Sequence, residues 1–260
     1  MIILIHTSKT MRPPETEGSV SQKPELITFA KQLDSYLKRL SVNQISKVMQ
    51  ISNKLGVKTH GLIAGWTDKN QNQRPAIDSF LGDIYSGLQV QTWTKEDREY
   101  ANHHLKILSG LYGILRPFDG IYPYRFEMGY RLPDKQYSNL YKFWGDKIVK
   151  TLPSNQPIIN LAANEYSRVI TDYIDNSMVV SPVFLTHSST TNQPTFVVVH
   201  AKIARGAFAG WLIKNQIDDL NKLKNFMELG YTYSQELSTP NTPTFICQSF
   251  GGLGLSVRLK

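Results

Sequence analysis

The chain begins Met1-Ile2-Ile3-Leu4-Ile5, an uncharged apolar run that is followed by His6. The run has no basic flank and is too short for a signal peptide or a membrane span, so we interpret it as a buried first strand. A second apolar run, Pro157-Ile-Ile-Asn-Leu161, precedes residues with helical spacing from Asn164 to Tyr173. Strands that alternate with helices in this way favour an α/β or α+β fold around a mixed sheet.

Length and composition indicate a globular protein. The chain has 260 residues, of which 41% are hydrophobic and 19% are charged, and this is enough for a sizeable core. We therefore expect one compact domain over residues 1–260, with a mixed central sheet flanked by helices. The other segments that the spacing predicts as helices or strands are Pro24–Leu40, Ser41–Leu55, Lys95–Leu105, Asn139–Leu152, Val179–Leu185, Thr195–His200, Ala201–Gln216 and a closing hairpin of Tyr231–Glu236 with Thr244–Gln248.

The charge of the chain favours anionic partners. Its formal net charge is +8, which suits nucleic acid, nucleotides or phosphorylated metabolites. No Asp or Glu occurs from Ser35 to Thr67. The basic residues of that window are Lys38, Arg39, Lys47, Lys54 and Lys58. We expect this window to provide the electrostatic contact with the partner.

Cysteine usage indicates the compartment. Cys247 is the one cysteine in the sequence, so it cannot form an internal disulfide, and we expect it in the core. A chain without disulfides or an export signal is expected in the reducing cytoplasm. We also expect a monomer that makes no contact with a membrane.

Residues 41–66 have the layout of a helix-hairpin-helix DNA-binding element. A helix is expected to end at Gly56, with a short helix after it. Lys47 and Lys54 are seven residues apart, which would place them on one helix face. The turn at Gly56 would bring backbone amides and Lys58 to a phosphate, and such contacts position a duplex without reading its sequence. The alternative is a surface hairpin with ordinary solvated lysines.

The segment from Leu108 to Gly129 has a composition that is unusual for a core. An apolar run leads into a glycine-containing turn, and the prolines at 117 and 123 prevent a continuous helix. The segment then brings together two arginines, two tyrosines and a glutamate, namely Arg116, Tyr122, Tyr124, Arg125 and Glu127. We interpret this segment as the wall of a site.

Two further segments place polar side chains where predicted strands meet predicted helices. Asn160, Asn164 and Glu165 lie at the end of one strand, a position where α/β sheets often bind ligands. Lys202 and Arg205 are three residues apart after another strand, so they would share a helix face and hold a phosphate or carboxylate. The alternatives are that Asn164 caps its helix with Glu165 beside the dipole, and that the two cations lie on a solvated face.

The sequence lacks the motifs of several common binding and catalytic sites. The sequence contains no Gly-x-Gly-x-x-Gly, Walker loop, Gly-x-Ser-x-Gly or Cys-x-x-Cys. His103 and His104 are adjacent on a predicted helix, where they would point about 100° apart and could not easily clamp one metal ion. We therefore predict neither a metal site nor a cofactor.

Nine ordered blocks resemble the YaaA peroxide-stress protein family, formerly a family of unknown function, nearly from end to end. The blocks that carry the resemblance are Met1-Ile-Ile-Leu-Ile5 with Ser8-Lys-Thr10, Gly82-Asp-Ile-Tyr-Ser-Gly-Leu-Gln89, Leu108-Ser-Gly-Leu-Tyr-Gly-Ile-Leu-Arg-Pro-Phe-Asp119, Pro123-Tyr-Arg-Phe-Glu-Met-Gly129, Asn139-Leu-Tyr-Lys-Phe-Trp-Gly-Asp146, Ile159-Asn-Leu-Ala-Ala-Asn-Glu-Tyr166, Pro182-Val-Phe184, Ala201-Lys-Ile-Ala-Arg-Gly206 and Glu236-Leu-Ser238.

The resemblance implies a cytoplasmic protein that is induced by hydrogen peroxide and protects DNA and proteins from oxidative damage, by a route that includes limiting reactive iron. It also implies a basic cleft and a helix-hairpin-helix element, hence DNA binding. The chain departs from the family pattern in two places. Thr7-Ser8-Lys9-Thr10 stands where the family usually has Pro-Ala-Lys-Thr, and Ile203 stands where the family has a lysine, which removes one cation from the expected cleft.

The first functional hypothesis is a DNA-binding stress protein. In it, Lys47, Lys54, Gly56 and Lys58 hold phosphates of duplex or branched DNA, and a basic cleft extends the path. The residues that we assign to anion binding in that cleft, together with Lys9, are Arg116, Tyr124, Arg125, Asn160, Lys202 and Arg205.

The second hypothesis is an enzyme that acts on a small anionic substrate, a nucleotide or nucleobase. Glu127 or Glu165 would be the acid–base group, Lys9 the base or nucleophile, and Arg116 with Arg125 the anion clamp. Phosphate binding needs cations rather than acids, so the glutamates favour catalysis. If both glutamates converge on Lys9 and Arg125, the enzyme is favoured; if they pair with arginines in packed protein, they are structural. A third hypothesis is an interaction scaffold with neither property.

Overall fold

Short strands and helices alternate along the chain, as the sequence predicts for a mixed α/β fold. The computed structural model describes residues 1–14, 22–69, 72–135, 137–188, 190–191 and 193–252. The strands are β1 Ile2–His6, β2 Thr10–Met11, β3 Arg74–Pro75, β4 Phe80–Leu81, β5 Leu105–Ser109, β6 Gly113–Leu115, β7 Gly120–Ile121, β8 Ile158–Asn160, β9 Val179–Val180, β10 Val183–His187, β11 Pro194–Thr195, β12 Tyr231–Thr239 and β13 Thr242–Cys247. The helices are α1 Ile27–Leu37, α2 Val42–Met49, α3 Asn53–Gly65, α4 Ala76–Ser79, α5 Asp83–Leu88, α6 Lys95–His104, α7 Leu140–Trp144, α8 Asn164–Thr171 and α9 Val198–Lys214, with 3-10 segments at Val90–Thr92, Val149–Thr151, Asn176–Met178 and Leu220–Asn225.

The first strand of the chain lies in the middle of the central sheet. Its strand order is β6-β5-β1-β8-β9, and β1 pairs in parallel with β5 on one side and with β8 on the other. The edge strand β6 runs antiparallel to β5, so the sheet is mixed, as expected. The side chains from Ile2 to Ile5 are all buried, because a parallel strand covered on both faces needs a continuous apolar run rather than an alternating one.

The carboxyl-terminal part of the chain forms a second sheet with the order β11-β10-β13-β12. Strands β12 and β13 pair in the antiparallel sense, which confirms the predicted closing hairpin. Between this sheet and α9, an aromatic cluster forms around Phe184, whose ring stacks on Phe245 at a centroid distance of 5.4 Å. Within the described ranges, no helix is long and apolar enough to cross a membrane.

Helices α5 and α9 meet at their backbones, and this contact fixes α9 against α5. A Cβ atom on Gly206 would lie 1.8 Å from the carbonyl oxygen of Ile84, and one on Gly87 would lie 2.0 Å from the carbonyl oxygen of Ile203. Because both obstacles are backbone atoms, only glycine fits at either position. The close approach sets where Lys202 and Arg205 of α9 lie relative to β1.

The prediction that Gly56 forms a turn is wrong. Helix α2 ends at Met49, Gln50 takes a left-handed conformation with φ of 51°, and α3 begins at Asn53. Gly56 therefore lies in the first turns of α3, where a Cβ atom would be 2.0 Å from Ser46 Oγ of α2. The glycine serves close helix packing, since Gln50 with Ser52 as the next cap makes the turn instead.

Lys47 and Lys54 do not share a helix face, because the same turn separates them into α2 and α3. Residues 41–66 still form two helices joined by a short connection, with Ser41 capping the first one through the amide of Gln44. The assignment of this pair of helices as a helix-hairpin-helix element stays a prediction.

Other boundaries differ from the sequence expectation. Of the predicted strand Thr195–His200, Thr195 alone lies in a strand (β11), and α9 already begins at Val198. Val198 and Val199 are exposed, so they lack the half-buried pleated surface that makes β-branched residues favour strands. The predicted helix Asn139–Leu152 is broken after α7 at Gly145, whose φ is 49°.

Candidate functional site

The carboxyl ends of the central parallel strands carry the residues of the candidate site. His6 is the last residue of β1 and Thr7 to Lys9 follow it, whereas Ala163 to Tyr166 follow β8 at the start of α8. The segment from Tyr124 to Gly129, beyond β5 and β6, closes the site from the other side. Since the chain leaves β1 toward β5 and only later reaches β8 on the opposite side, this edge is a topological switch point, where α/β sheets bind ligands.

Lys9 and Glu127 face one another at the centre of this site. The distance from Lys9 Nζ to Glu127 Oε2 is 3.9 Å, and the Glu127 side chain is 10% exposed whereas that of Lys9 is 55% exposed. Burial raises the pKa of Glu127, and the Lys9 ammonium opposes that rise. The result is a carboxyl group whose pKa lies closer to neutrality than usual, which suits an acid–base group.

Glu165 is the second carboxylate of the site. Its Oε1 accepts a hydrogen bond of 2.9 Å from the amide of Gly129. A Cβ atom on Gly129 would lie 2.8 Å from that oxygen, so the glycine lets the carboxylate approach the backbone. Glu165 also acts electrostatically on Glu127 and contributes to the rise of its pKa. The two glutamates therefore converge on the Lys9 region rather than pairing with arginines in packed protein.

Two adjoining cavities meet at these three side chains. Lys9, Glu127 and Glu165 line both of them. The outer cavity, of about 890 Å³, extends to Lys47 of α2 and to Arg131. The inner cavity, of about 380 Å³, is lined further by His6, Asp83, Tyr166 and Lys202. Both volumes fall in the range of about 300–1,000 Å³ that is usual for small-molecule sites.

Hydroxyl groups form a hydrogen-bonded layer around Glu127. The Tyr166 hydroxyl bonds to the Glu127 carboxylate and accepts a 3.4 Å hydrogen bond from Thr7 Oγ1. Tyr124, which is buried, shares a 2.6 Å hydrogen bond with Ser109 Oγ. Tyr124 is therefore a buried neighbour of the site. Burial holds the pKa values of Tyr124 and Tyr166 well above the usual range. Neither phenol ionises near neutral pH, so both act as neutral hydrogen-bonding groups.

His6 links the site to the cations of α9. Its Nδ1 accepts a 3.2 Å hydrogen bond from the Ala163 amide, and its ring stacks on Tyr166 at 4.8 Å. Burial, followed by the charges of Arg205 and Lys202, lowers the pKa of His6 to about 3. His6 is therefore neutral at physiological pH, and with Nδ1 as acceptor its proton lies on Nε2.

Lys202 and Arg205 lie within α9 rather than at a strand-to-helix junction, which corrects that part of the sequence interpretation. Lys202 lines the inner cavity. Burial lowers the pKa of the Arg205 guanidinium, and no carboxylate of the described residues lies within 4 Å of it. The pair thus puts positive charge near His6, and Lys202 brings part of that charge to the wall of the inner cavity.

Arg125 contacts the backbone of Lys9. Its Nη1 donates to the carbonyl oxygen of Lys9 at 3.4 Å, and its buried Nε has no hydrogen-bond partner among the described residues. Arg125 also bonds to Tyr130, whose pKa rises to about 12 through burial and the nearby Glu127. Arg125 therefore holds the Lys9 segment in place and adds positive charge beside both cavities.

The structure separates two predicted cleft residues from the site. Arg116 bonds to Asp119 through Nε and Nη2, at 3.1 and 2.9 Å, and to the Lys23 carbonyl oxygen at 2.7 Å. Asn160 turns its side chain to Ser181 Oγ and to the Ala162 amide. Both side chains hold the fold together, because each is saturated by neighbours on its own element or on an adjacent loop. Arg116 therefore does not clamp an anion in the cavities described above.

The alternative that Asn164 caps α8 is wrong. Ala163, not Asn164, is the N-cap residue of α8, and its side chain supplies no capping hydrogen bond. Asn164 and Glu165 are exposed. Their position in the first turn places Glu165 beside the positive end of the helix dipole.

The lysines of α2 and α3 form a separate exposed surface. Lys47, Lys54 and Lys58 are all exposed, and none forms an ion pair with a described residue. The N-terminus of α3, capped by Ser52, lies next to Lys54. Because Lys47 lines the outer cavity, this surface runs into the site around Lys9.

Sequence reasoning missed His6, Tyr130, Arg131 and Tyr166 as residues of the site. The position of His6 directly after the apolar first strand is a signal that could have indicated it, since ligands lie at strand ends. Tyr130 and Arg131 continue the segment that the sequence marks as a wall. In the described part of the chain, no group of three or more His, Cys, Asp or Glu side chains is arranged to hold a metal ion.

Comparison with known proteins gives consistent matches over nearly the whole chain. A family model described as the peroxide stress protein YaaA matches residues 1–237. A UPF0246 protein of Salinispora tropica is 55% identical over 258 residues, which cover 99% of this chain and 98% of that protein. UPF0246 proteins of Marinomonas sp. (strain MWYL1) and Shewanella sp. (strain MR-4) are 38% identical over 253 residues and 35% identical over 257 residues. Each alignment covers 95% of this chain, and 96% and 98% of the respective relative.

Proposed function

The chain belongs to the YaaA peroxide-stress protein family, and from this membership and the site we propose a cytoplasmic stress protein that binds DNA through α2 and α3. The observation that carries the proposal is the exposed surface of Lys47, Lys54 and Lys58, which has no acidic residue from position 35 to 67. Cations without acidic partners are available to neutralise phosphates and to release counterions.

The local structure supports phosphate contacts at the start of α3. Its first amides point outward from the helix, and an N-terminus of this kind favours anions. Lys54 and Lys58 are four residues apart on α3, so they lie on one face and can contact one backbone. Contacts of this type are independent of sequence, which suits a protein that protects DNA in general.

The test is a salt titration of binding to labelled duplex DNA with matched charge-reversal variants. Lys54→Glu/Lys58→Glu removes two expected phosphate contacts, so the slope of log K against log salt should fall by about 2. Lys222→Glu/Lys224→Glu changes the net charge by the same amount at two other exposed lysines and should keep the slope. Equal slopes for the wild type and the α3 variant would overturn this function.

A second function is favoured by the Lys9–Glu127 pair, which lies 3.9 Å apart in a cavity. The raised pKa of Glu127 suits general acid–base catalysis on a nucleotide or nucleobase, with Lys9 beside it as the cation. The test is a screen of nucleosides and nucleotides for turnover by the wild type and by Glu127→Gln. Turnover that the glutamine variant loses and Glu96→Gln keeps would establish the enzyme, and no turnover of any nucleotide would exclude this substrate class.

A further inference from the structure

The proposed DNA-binding surface adjoins the carboxylate site through Lys47. Lys47 and Gln50, at the carboxyl end of α2, line the outer cavity together with Glu127 and Glu165. The inner cavity continues from the same glutamates to Lys202. A DNA strand held by the lysines of α2 and α3 therefore passes the mouth of a cavity that leads into the protein.

The chemistry of that cavity does not match a phosphate backbone. Two carboxylates, Glu127 and Glu165, line both parts of it beside Lys9, whereas a groove that binds only phosphates needs cations alone. Carboxylates accept hydrogen bonds from the amino groups of nucleobases. In a duplex the Watson–Crick edges of the bases are already paired, so only an unpaired base can offer them to these glutamates. The cavity is also too small for a duplex, whereas volumes of about 890 and 380 Å³ suit a small group.

The inner cavity also carries positive charge, beside the acidic residues Asp83, Glu127 and Glu165. Lys202 lines it, and both Lys202 and Arg205 act electrostatically on His6. Arg205 lines neither cavity, so Lys202 is the α9 cation that an incoming anion can contact. One nucleotide suits both kinds of side chain, because it combines a base with hydrogen-bond donors and a phosphate with negative charge.

We propose that the two cavities receive a single unpaired nucleotide of the DNA that α2 and α3 hold. The base lies between Glu127 and Glu165, and the phosphate that follows it faces Lys202. Tyr130 borders the outer cavity and offers an aromatic ring to the base at the entrance. This inference rests on the proposed DNA binding. It assigns a ligand to the site around Glu127 and Glu165, because contacts with the DNA phosphates alone give these glutamates no role.

The test compares two duplexes of one sequence. In one duplex a central 2-aminopurine is paired with thymine, and in the other it is unpaired. The free-energy cost of moving a base out of the DNA stack is lowest for an unpaired base. We therefore expect the protein to bind the duplex with the unpaired 2-aminopurine roughly tenfold more tightly or better. We also expect a change of 2-aminopurine fluorescence on binding that the paired duplex does not show.

Two variants locate the contact. Glu127→Gln removes the carboxylate charge, and Lys202→Ala removes the α9 cation that lines the inner cavity. Each should reduce the ratio of the two affinities toward one and weaken the fluorescence change. Lys224→Ala, at an exposed lysine that lines neither cavity, should keep both.

The outcomes separate this inference from the function on which it rests. Salt-dependent binding of both duplexes with equal affinity would overturn the nucleotide site and leave DNA binding intact. A preference for the unpaired nucleotide that survives both cavity variants would also overturn it, because the base would then lie elsewhere. Failure to bind either duplex at low salt would overturn the proposed DNA binding, and this inference with it.

Discussion

The backbone amide of Ala163 donates a 3.2 Å hydrogen bond to Nδ1 of His6, which joins the end of β1 to the start of α8 across the switch point of the sheet. The bond requires a neutral imidazole, since a protonated ring has no acceptor nitrogen. Burial and the cations Arg205 and Lys202 keep it neutral by lowering the pKa of His6 to about 3. This contact makes the architecture of the site sensitive to acid.

His6→Asn should make the protein less sensitive to acid. Between pH 6.5 and about 3, the unfolded chain binds a proton at His6 that the folded chain does not, so stability falls as the pH falls. An asparagine keeps an acceptor and does not titrate. From about pH 7.5 to about pH 4.5, the wild type should lose about 2 kcal/mol more unfolding free energy than the variant, as measured by urea denaturation.

The matched control for that comparison is His103→Asn, at an exposed histidine of α6. A loss of stability with acid that is equal in the wild type and in His6→Asn would show that His6 is not desolvated in solution.

Glu127→Gln should raise the melting temperature at neutral and alkaline pH. Burial raises the folded-state pKa of Glu127, so this group stabilises the fold at low pH and loses that contribution as the pH rises through the raised pKa. The glutamine has no such loss. Because 1 kcal/mol corresponds to about 2–4 °C in a chain of this size, a gain of a few degrees is expected at about pH 8, shrinking at about pH 4.

Thermal scans of Glu165→Gln at the same two pH values provide the comparison. Glu165 is exposed, and a glutamine still accepts the Gly129 hydrogen bond, so its melting temperature should stay near that of the wild type. A lower melting temperature for Glu127→Gln at high pH would mean that the attraction to Lys9 outweighs the burial.

Gly206→Ala should destabilise the fold. The new methyl group would lie 1.8 Å from the carbonyl oxygen of Ile84, and helices α5 and α9 must separate to admit it. Overpacking of this kind costs about 1–3 kcal/mol, which calorimetry will detect as a lower melting temperature. If Gly206→Ala does not fold, the milder Gly210→Ala, with a closest contact of 3.0 Å to Leu88, gives the same comparison.

Gly61→Ala is the control with the opposite expected sign. Gly61 is exposed in α3, and no atom lies within 4 Å of a Cβ placed there, so alanine should add up to about 1 kcal/mol through helix propensity. Wild-type stability of Gly206→Ala would show that α5 and α9 are less closely packed than described.

Arg116→Gln should reduce stability without changing DNA binding. Asp119 is 1% exposed, and loss of its guanidinium partner would leave a buried carboxylate, at a cost of about 3 kcal/mol. Because Arg116 is engaged by Asp119 and Lys23 away from the cavities, the salt dependence of duplex binding should match that of the wild type. A reduced slope would return Arg116 to the anion-binding surface.

The sequence alone was sufficient for the features that depend on local pattern. The apolar run Ile2–Ile5 predicts a buried strand because side-chain burial follows directly from hydrophobicity. The closing hairpin at β12 and β13 was predictable from two strand-like runs close together in the chain. The order of motifs also identified the family, and the density of charge from Arg116 to Glu127 marked a segment whose end, at Glu127, lines the candidate site.

Local propensity failed where neighbours distant in the chain determined the outcome. Gly56 has the composition signal of a helix end, yet the close approach of Ser46 makes it a packing residue inside α3. Val198 and Val199 favour a strand by propensity, but they lie in α9, which is fixed by its backbone contact with α5. In both places the packing of helices outweighed preferences of a fraction of a kcal/mol per residue.

The composition of the site came from the sequence, and its assembly came from the tertiary structure. The sequence identified Lys9, Glu127 and Glu165 as chemically unusual, but these residues are remote in the chain, and only the parallel pairing of β1 with β5 and β8 brings them to one edge of the sheet. The same fold places Arg116 beside Asp119 and Arg125 beside the carbonyl oxygen of Lys9, although the two arginines lie in one segment of the sequence and have the same chemistry. Residue type determines which interactions a side chain can make, whereas the partners that the fold places within reach determine which of them form.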